Sequence, residues 1–494
     1  MSAFDYTVIA LYGALVLAIG LRVGRRHGDA EDLLLARRSL PTWAVLCSMV
    51  ATELSAATFI GVPHAAYVGD WSFLQLAFGA LLGKLAVATL VIPLYHRLGL
   101  VTVYGLLEER FGPHSRRAAA AAFVAGRVMA SGVRLFIAAL AFATVSGQPI
   151  ESAIAISGVA AGAYTLAGGI RSVVWTDVAQ GAVFVLGAGA LLVALNAGPG
   201  GGLGEILSWA DAEHRSRIFY WTPWISLSNA RPFAVGVIGG FFLTLATHST
   251  DHDMVQRLLT TRDGAAGGRA LFGSALLNFP LTLLFLVIGT GIAFQTSVAP
   301  PAYDISDAAR ILPTFALHEL PSGARGLVFA GLFAAAMSSL DSAICAIATT
   351  WVVDLSPVSP SRAGVSRRIR IAAAITTLLL IAAALAMAAY QRALSASGDG
   401  GPALNLVEFA LSSMTILYGG LLGVFAVAVL GRRAGSDRSA LIGLAAGCSA
   451  GLALFLHPLL LGEVVIAWTW WIPISAALAA SITLLGGRRR DRLG

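Results

Sequence analysis

Apolar residues along this chain fall in long runs, not in the short periodic stripes of a soluble domain. Runs long enough to cross about 30 Å of hydrocarbon lie near 5–24, 42–68, 72–95, 117–146, 150–168, 173–196, 232–250, 268–295, 323–352, 368–390, 404–430, 438–457 and 464–486. The pattern predicts an all-α integral membrane protein of about thirteen transmembrane helices, forming one domain over 1–494. Only the connections 197–230 and 296–322 are long. Amphipathic stretches in both, and Trp209, Trp221 and Trp224 in the first, suit segments lying on a membrane surface.

Composition agrees, because 57% apolar against 12% charged residues, with 54 glycines, exceeds what a soluble core needs. The net charge of +7 raises the question of a nucleic-acid partner. The arginines, however, sit in bursts between the apolar runs, as cytoplasmic loops do, so no nucleic acid is expected. Arg22, Arg25 and Arg26 follow the first run, which points to an uncleaved span with the N-terminus outside and the C-terminus cytoplasmic. With that orientation the cytoplasmic loops hold 24 of the 33 basic residues. One lysine beside 32 arginines and abundant alanine suggest a GC-rich bacterial genome, hence a multi-pass protein of a bacterial inner membrane. Trp468, Trp470 and Trp471 open the last run as an aromatic anchor. Cys47, Cys345 and Cys448 lie in apolar stretches and read as small core residues. Phosphate-binding loops, nucleophile elbows and zinc-protease helices are missing, and no enzyme is expected.

Polar atoms inside a membrane are costly, so the residues that interrupt the apolar runs carry the functional expectation. Small and hydroxyl residues from Ala51 to Pro63 weaken the second run where a discontinuous helix would free carbonyls for a hard cation; tight helix packing is the competing explanation. Ser338, Asp341 and Ser342 share one turn of the ninth run, and hydroxyls beside a carboxylate suit a monovalent ion. Asp177 enters the sixth run just beyond Gly168, Gly169 and Arg171 and needs a cation, a basic side chain or a proton. Asp253 and Arg257, at the polar inner end of the seventh run, read equally as a plain i,i+4 pair at the membrane surface or as part of a functional constellation, and His252 reads as a surface histidine and not a metal ligand. Lys84, near the middle of its run, needs a partner, and Glu53 is the candidate.

These segments resemble the sodium:solute symporter family. The resemblance covers nearly the whole chain and rests on Tyr164 to Gln180, Ala335 to Ser342, Asp253 to Arg257 and Tyr418 to Phe425. It implies a LeuT-like fold of two five-helix inverted repeats, about 42–196 and 232–430, with one extra helix at 5–24 and two at 438–486. It also implies sodium-coupled symport by alternating access, with sodium as the coupling ion, no organic cofactor, and one copy of the chain sufficing in the lipid bilayer. Carried over residue by residue, the principal sodium site falls on Ala51, Leu54, Ala335, Ser338 and Ser339. A second sodium, present in some members, would fall on Asp177, Ser338, Asp341 and Ser342. Asp341 replaces the hydroxyl those members carry, which keeps proton coupling open as an alternative.

Thr52 to Phe59 and Asp70 to Phe73 look like the sialic acid carrier branch, where residues at the positions of Ser55, Thr58 and Phe73 meet the solute. The expected solute is therefore a small organic molecule, with a carboxylate such as a sialic acid or other sugar acid as the implied class. The arginine of that branch falls on Ala130, but Arg127 and Arg134 lie on the same helix face, three residues before and four after. Either can reach the pocket, or neutralise Asp177 or Glu53 instead. Glu53 is a further pocket candidate; if it pairs with Lys84, an uncharged sugar or polyol becomes equally acceptable. A solute sensor would be expected to carry a cytoplasmic signalling domain, whereas the tail is only Gly486 to Gly494.

Overall fold

The computed structural model describes residues 1–24, 30–303, 311–356, 364–396, 414–431 and 435–486, and among these the regular structure is helical, without strands. The chain begins with α1 (Ala3–Gly24) and the short α2 (Ala30–Leu35), then turns by 108° into α3 (Thr42–Glu53). Next come α4 (Ala56–Val68), α5 (Leu74–Ala86), α6 (Ile92–Arg97), α7 (Gly105–Arg110), α8 (Pro113–Ser146), α9 (Ile150–Asn196) and α10 (Leu203–Ala212). The remainder is α11 (Phe233–Thr250), α12 (His252–Leu259), α13 (Gly264–Val298), α14 (Ile311–Glu319), α15 (Ala324–Thr350), α16 (Val365–Ala396), α17 (Thr415–Leu430), α18 (Asp437–Leu461) and α19 (Trp471–Leu485). Among the described residues ten helices are long and apolar enough to cross a membrane. Of the run expected over 404–430, residues 404–413 lie outside the described residues.

Three interruptions shape the molecule. The run over 42–68 divides at Leu54 and Ser55, whose ψ angles of 70° and 171° leave the helical range. The trace of α9 turns at Gly169 (φ 55°, ψ −152°), a backbone state that glycine reaches without strain, so 150–168 and 173–196 are separate segments of one trace. The seventh run leaves the helix at Asp251 (φ −88°, ψ 112°) and continues as α12. The last carbonyls of α11 accept hydrogen bonds from tyrosines: Tyr95 Oη donates to Ser249 O at 2.6 Å and Tyr104 Oη to Thr250 O at 3.2 Å. Asp251 caps α12 by accepting from the Asp253 amide at 3.0 Å. This end-group satisfaction allows two helix ends to lie buried.

Between helices in a membrane, close approach through small residues replaces the hydrophobic effect. A Cβ added at Gly79 of α5 would lie 2.1 Å from Val237 O, and one at Gly240 of α11 would lie 2.2 Å from Leu76 O. The glycines of the Tyr418 to Phe425 motif serve the same end. Gly419 and Gly423 of α17 abut α19 at Ser475 and Ala476, while Gly420 abuts α18 at Cys448. α15 is buried along nearly its whole length, against α8, α9 and α16. Of the three tryptophans that open the last run, Trp471 is 7% exposed and packed, Trp470 is half-buried with its Nε1 donating to Ser226 O at 2.9 Å, and Trp468 is 36% exposed. Trp221 and Trp224 are 53% and 55% exposed, as the surface-loop expectation requires.

Gly240→Val forces a side chain into the Leu76 carbonyl, and overpacking of this kind costs about 1–3 kcal/mol. The purified variant is expected to melt several degrees below the parent protein, and equal melting temperatures would contradict the close α5–α11 contact.

Candidate functional site

The interruption at Leu54 and Ser55 releases backbone acceptors in the membrane interior. An unbroken helix would give the Ser55 amide to the Ala51 carbonyl; here that amide goes to Glu53 O at 3.0 Å. Across from this break, Thr52 Oγ1 lies 3.3 Å from Ser338 Oγ, which sets the end of α3 against the middle of α15. Ser339 Oγ donates to Ala335 O at 3.3 Å. Ala51, Leu54, Ala335, Ser338 and Ser339 are all buried. Carbonyl and hydroxyl oxygens of this kind suit a hard monovalent cation. Among the described residues no three His, Cys, Asp or Glu side chains group as a transition-metal site requires.

One helical turn away lies a chain of buried charges. Asp177 accepts from Ser48 Oγ at 2.5 Å and from Ser338 Oγ at 2.5 Å, and Arg257 Nε approaches its Oδ2 at 3.4 Å. Of the three partners expected for Asp177, the structure supplies the basic side chain. Arg257 also donates to Ser48 Oγ at 2.9 Å, to Asp253 O at 2.6 Å and to Ser342 Oγ. Asp341 stands beside Ser342, whose amide it accepts at 2.6 Å, and Thr176 Oγ1 is 3.4 Å from its other oxygen. The residues expected to hold a second sodium therefore come together, with a guanidinium among them.

The surface reading of Asp253, Arg257 and His252 is corrected here. All three are 1% exposed or less, because the break at Asp251 directs α12 inward. The i,i+4 contact between Asp253 Oδ1 and Arg257 Nη1 exists at 3.5 Å, but inside the protein. Asp253 meets a second arginine, Arg127 Nη2 of α8. Arg127 Nη1 donates to Asp251 Oδ2 at 3.1 Å, and Tyr418 Oη of α17 donates to the same oxygen at 2.7 Å. Asp251 and Tyr418 were not singled out as site residues in the sequence. The signal available was Asp251-His-Asp253 at the end of an apolar run, two carboxylates for two buried arginines.

Glu53 and Lys84 do pair, with Nζ to Oε distances of 2.8 and 2.6 Å. Three residues missed in the sequence complete this cluster. Lys84 Nζ donates to Ser274 Oγ at 2.9 Å, Asn278 Nδ2 donates to Glu53 Oε2 at 2.5 Å, and His248 Nε2 lies 3.2 Å from Glu53 Oε1. Four helices, α3, α5, α11 and α13, thus meet at one carboxylate. Ser55 is buried beside it, and Thr58 Oγ1 donates to Glu53 O at 3.3 Å. Phe73 sits on the turn after α4, 37% exposed. Ala130 is buried against Ala246, Met414 and Tyr418. Arg134, on the same face one turn further along α8, makes no ion pair among the described residues, and its buried Nε has no hydrogen-bond partner.

Comparison with known proteins fits this arrangement. Residues 33–447 match the model of the sodium:solute symporter family. The chain is 28% identical to a sodium/sialic acid symporter, NanT, of Aliivibrio fischeri over 91% of this chain and 87% of that protein. It is 30% identical to the human sodium/iodide cotransporter over 92% of this chain and 69% of that protein. In fold, it superposes on a Na⁺-coupled sialic acid symporter in a substrate-bound outward-open state with a TM-score of 0.87, 24% identity and 99% coverage of both chains. A structure of MhsT in complex with L-phenylalanine shares the fold more distantly, with a TM-score of 0.52 at 15% identity and coverage of 91% and 99%. A helical membrane protein with a LeuT-like fold, a broken helix set against α15, and a family model matched across most of its length, this chain belongs to the sodium:solute symporter family and works as a sodium-coupled transporter, not as an enzyme.

Proposed function

We propose that the protein takes up a small organic acid, of the sugar-acid class to which sialic acid belongs, together with sodium. The observation that carries this reading is the contrast between two arginines on one face of α8. Arg127 is bound to Asp251 and Asp253, whereas Arg134 has no carboxylate among the described residues. A half-buried guanidinium whose enclosed Nε has no partner is a strong reason for a complementary anion, and a solute carboxylate fits it in a bidentate manner. Ser55, Thr58 and Phe73 would line the same pocket from the α4 side. Glu53 contributes position more than charge, since Lys84 neutralises it. The sialic acid symporters of Aliivibrio fischeri and Proteus mirabilis, each 28% identical to this chain, support the solute class.

Sodium would sit at Ala51, Leu54, Ala335, Ser338 and Ser339, bridging the broken α3–α4 pair to α15. Its binding ties two helices that must separate when the site opens inward, which is how ion and solute become coupled. At the second set, Asp177, Ser338, Asp341 and Ser342, Arg257 already supplies a positive charge, so we assign one sodium per cycle while Arg257 stays in place. The two inverted repeats are assigned to 42–196 and 232–430, with 5–24 before them and 438–486 after. The arginine-rich loops are placed in the cytoplasm of a bacterium, the N-terminus outside, and a single copy of the chain suffices.

The test is uptake and binding by purified protein, with sugar acids, neutral sugars, amino acids and monocarboxylates offered in sodium or in potassium. A ligand at a hundred times its Kd adds about 2.7 kcal/mol of stability, so sodium-selective stabilisation is measurable by melting. Loss of cation preference would overturn sodium coupling. Ser339→Ala is expected to raise the sodium concentration for half-maximal uptake severalfold, and an unchanged value would remove Ser339 from the site. Arg134→Ala is expected to weaken binding of a sugar acid about ten- to a hundredfold, the worth of one charged hydrogen bond of about 1.5–3 kcal/mol. Equal affinity for the acid in that variant would exclude Arg134 as its partner. Lys84→Ala removes the lysine and leaves Asn278 and His248 beside the Glu53 carboxylate, and it is expected to cost about 3 kcal/mol of stability, most of it recovered in Glu53→Gln/Lys84→Met. Absence of recovery would show that the loss in the single variant does not come from an unpaired Glu53 charge.

A further inference from the structure

The arginine-rich end of the molecule contains a cavity of about 420 Å³, lined by Arg38, Pro93, His96, Arg97, Arg262 and Asp263 together with short stretches of backbone. Three guanidinium groups face one carboxylate there, and that carboxylate is already satisfied. Asp263 accepts from the Ala266 amide at 2.7 Å and from Arg262 Nε at 2.9 Å. Arg38 is held at the wall by donation to Leu100 O at 2.9 Å and by His96 Nδ1 at 3.2 Å. Arg97 and Arg262 are exposed. The result is a basic concavity with one arginine held at its wall and two exposed at its mouth, more donors than Asp263 can take, which is the chemistry of a phosphate seat.

Its surroundings narrow the ligand. One face of the α5–α6 segment carries Leu82, Leu85, Leu90, Pro93 and Arg97, each three to five residues after the last. The three leucines are 49%, 44% and 58% exposed, the state of side chains that meet acyl chains in a membrane protein. The same stripe then enters the cavity at Pro93 and ends on Arg97. On neighbouring α13, exposed Arg269 stands nearer the cavity end, with exposed Leu276 and Leu277 beyond it. An apolar track leading directly into a basic concavity matches the two halves of a phospholipid.

We propose that this cavity binds the phosphate headgroup of an anionic phospholipid, with the acyl chains lying along Leu82, Leu85 and Leu90. The leaflet concerned, the cytoplasmic one, rests on the orientation proposed above; the binding chemistry does not. Occupancy reaches the inner helix, because His96 links Arg38 to α12 through Leu258 O, 3.1 Å from its Nε2.

The experiment uses the full-length protein in a neutral detergent, titrated with short-chain phosphatidylglycerol, short-chain phosphatidylcholine or inorganic phosphate, with bound ligand counted by native mass spectrometry. Phosphatidylglycerol is expected to bind about tenfold tighter than phosphatidylcholine. That preference is expected to disappear in Arg97→Gln/Arg262→Gln and to persist in Arg97→Lys/Arg262→Lys. Equal binding of the two lipids, or an undiminished preference in the glutamine variant, overturns the proposal. Inorganic phosphate binding as tightly as phosphatidylglycerol through the same arginines would overturn the lipid as ligand and leave a free phosphate compound. The assay needs neither sodium nor solute, so its failure is separable from failure of the transport reading.

Discussion

Charge in a low-dielectric interior must be answered by opposite charge or by hydrogen bonds, and the buried heart of this protein is arranged around that requirement. Arg127, the carboxylate pair Asp251 and Asp253, then Arg257 and Asp177 link α8 through α12 to α9 by opposite charges. Hydroxyls from Ser48, Ser338 and Tyr418 fill the remaining acceptor positions. Removing one member would leave its neighbour unpaired, which is far more costly than never having buried the pair. The network therefore fixes which helices touch, and the packing glycines allow them to come close enough to do so.

Broken helices serve the same economy of charge and hydrogen bonding. At Leu54 the interruption takes the Ser55 amide away from the helical pattern beside a Thr52–Ser338 contact to α15; at Asp251 it turns a helix start inward, where the dipole and a capping carboxylate meet an arginine. Glu53 immediately precedes the first break, and its partner His248 lies three residues before the second.

Much of this was legible from residue order. Runs of about twenty apolar residues gave the helices, and small and hydroxyl residues over Ala51 to Pro63 marked the second run as discontinuous. Yet the break falls at Leu54, before Gly61 and Pro63, because Pro63 is accommodated within α4 against the closely approaching Gly289. The inward turn of α12 was not legible: four-residue spacing of Asp253 and Arg257 has the same appearance on a surface as in a core, and only the tertiary fold supplies Arg127 and Asp177 as further partners. His248, Ser274 and Asn278 escaped notice for a related reason. Each is unremarkable in its own helix and acquires meaning from a carboxylate on another.

The four-helix cluster around Glu53 has a consequence for how such a transporter diversifies. Its charges cancel among α3, α5, α11 and α13, so a change at any one position demands compensation on a second helix, and these positions are expected to covary in descent. Arg134 carries no such obligation among the described residues. A substitution at Arg134 can therefore be accepted in a single step, whereas the cluster around Glu53 changes only in compensated pairs.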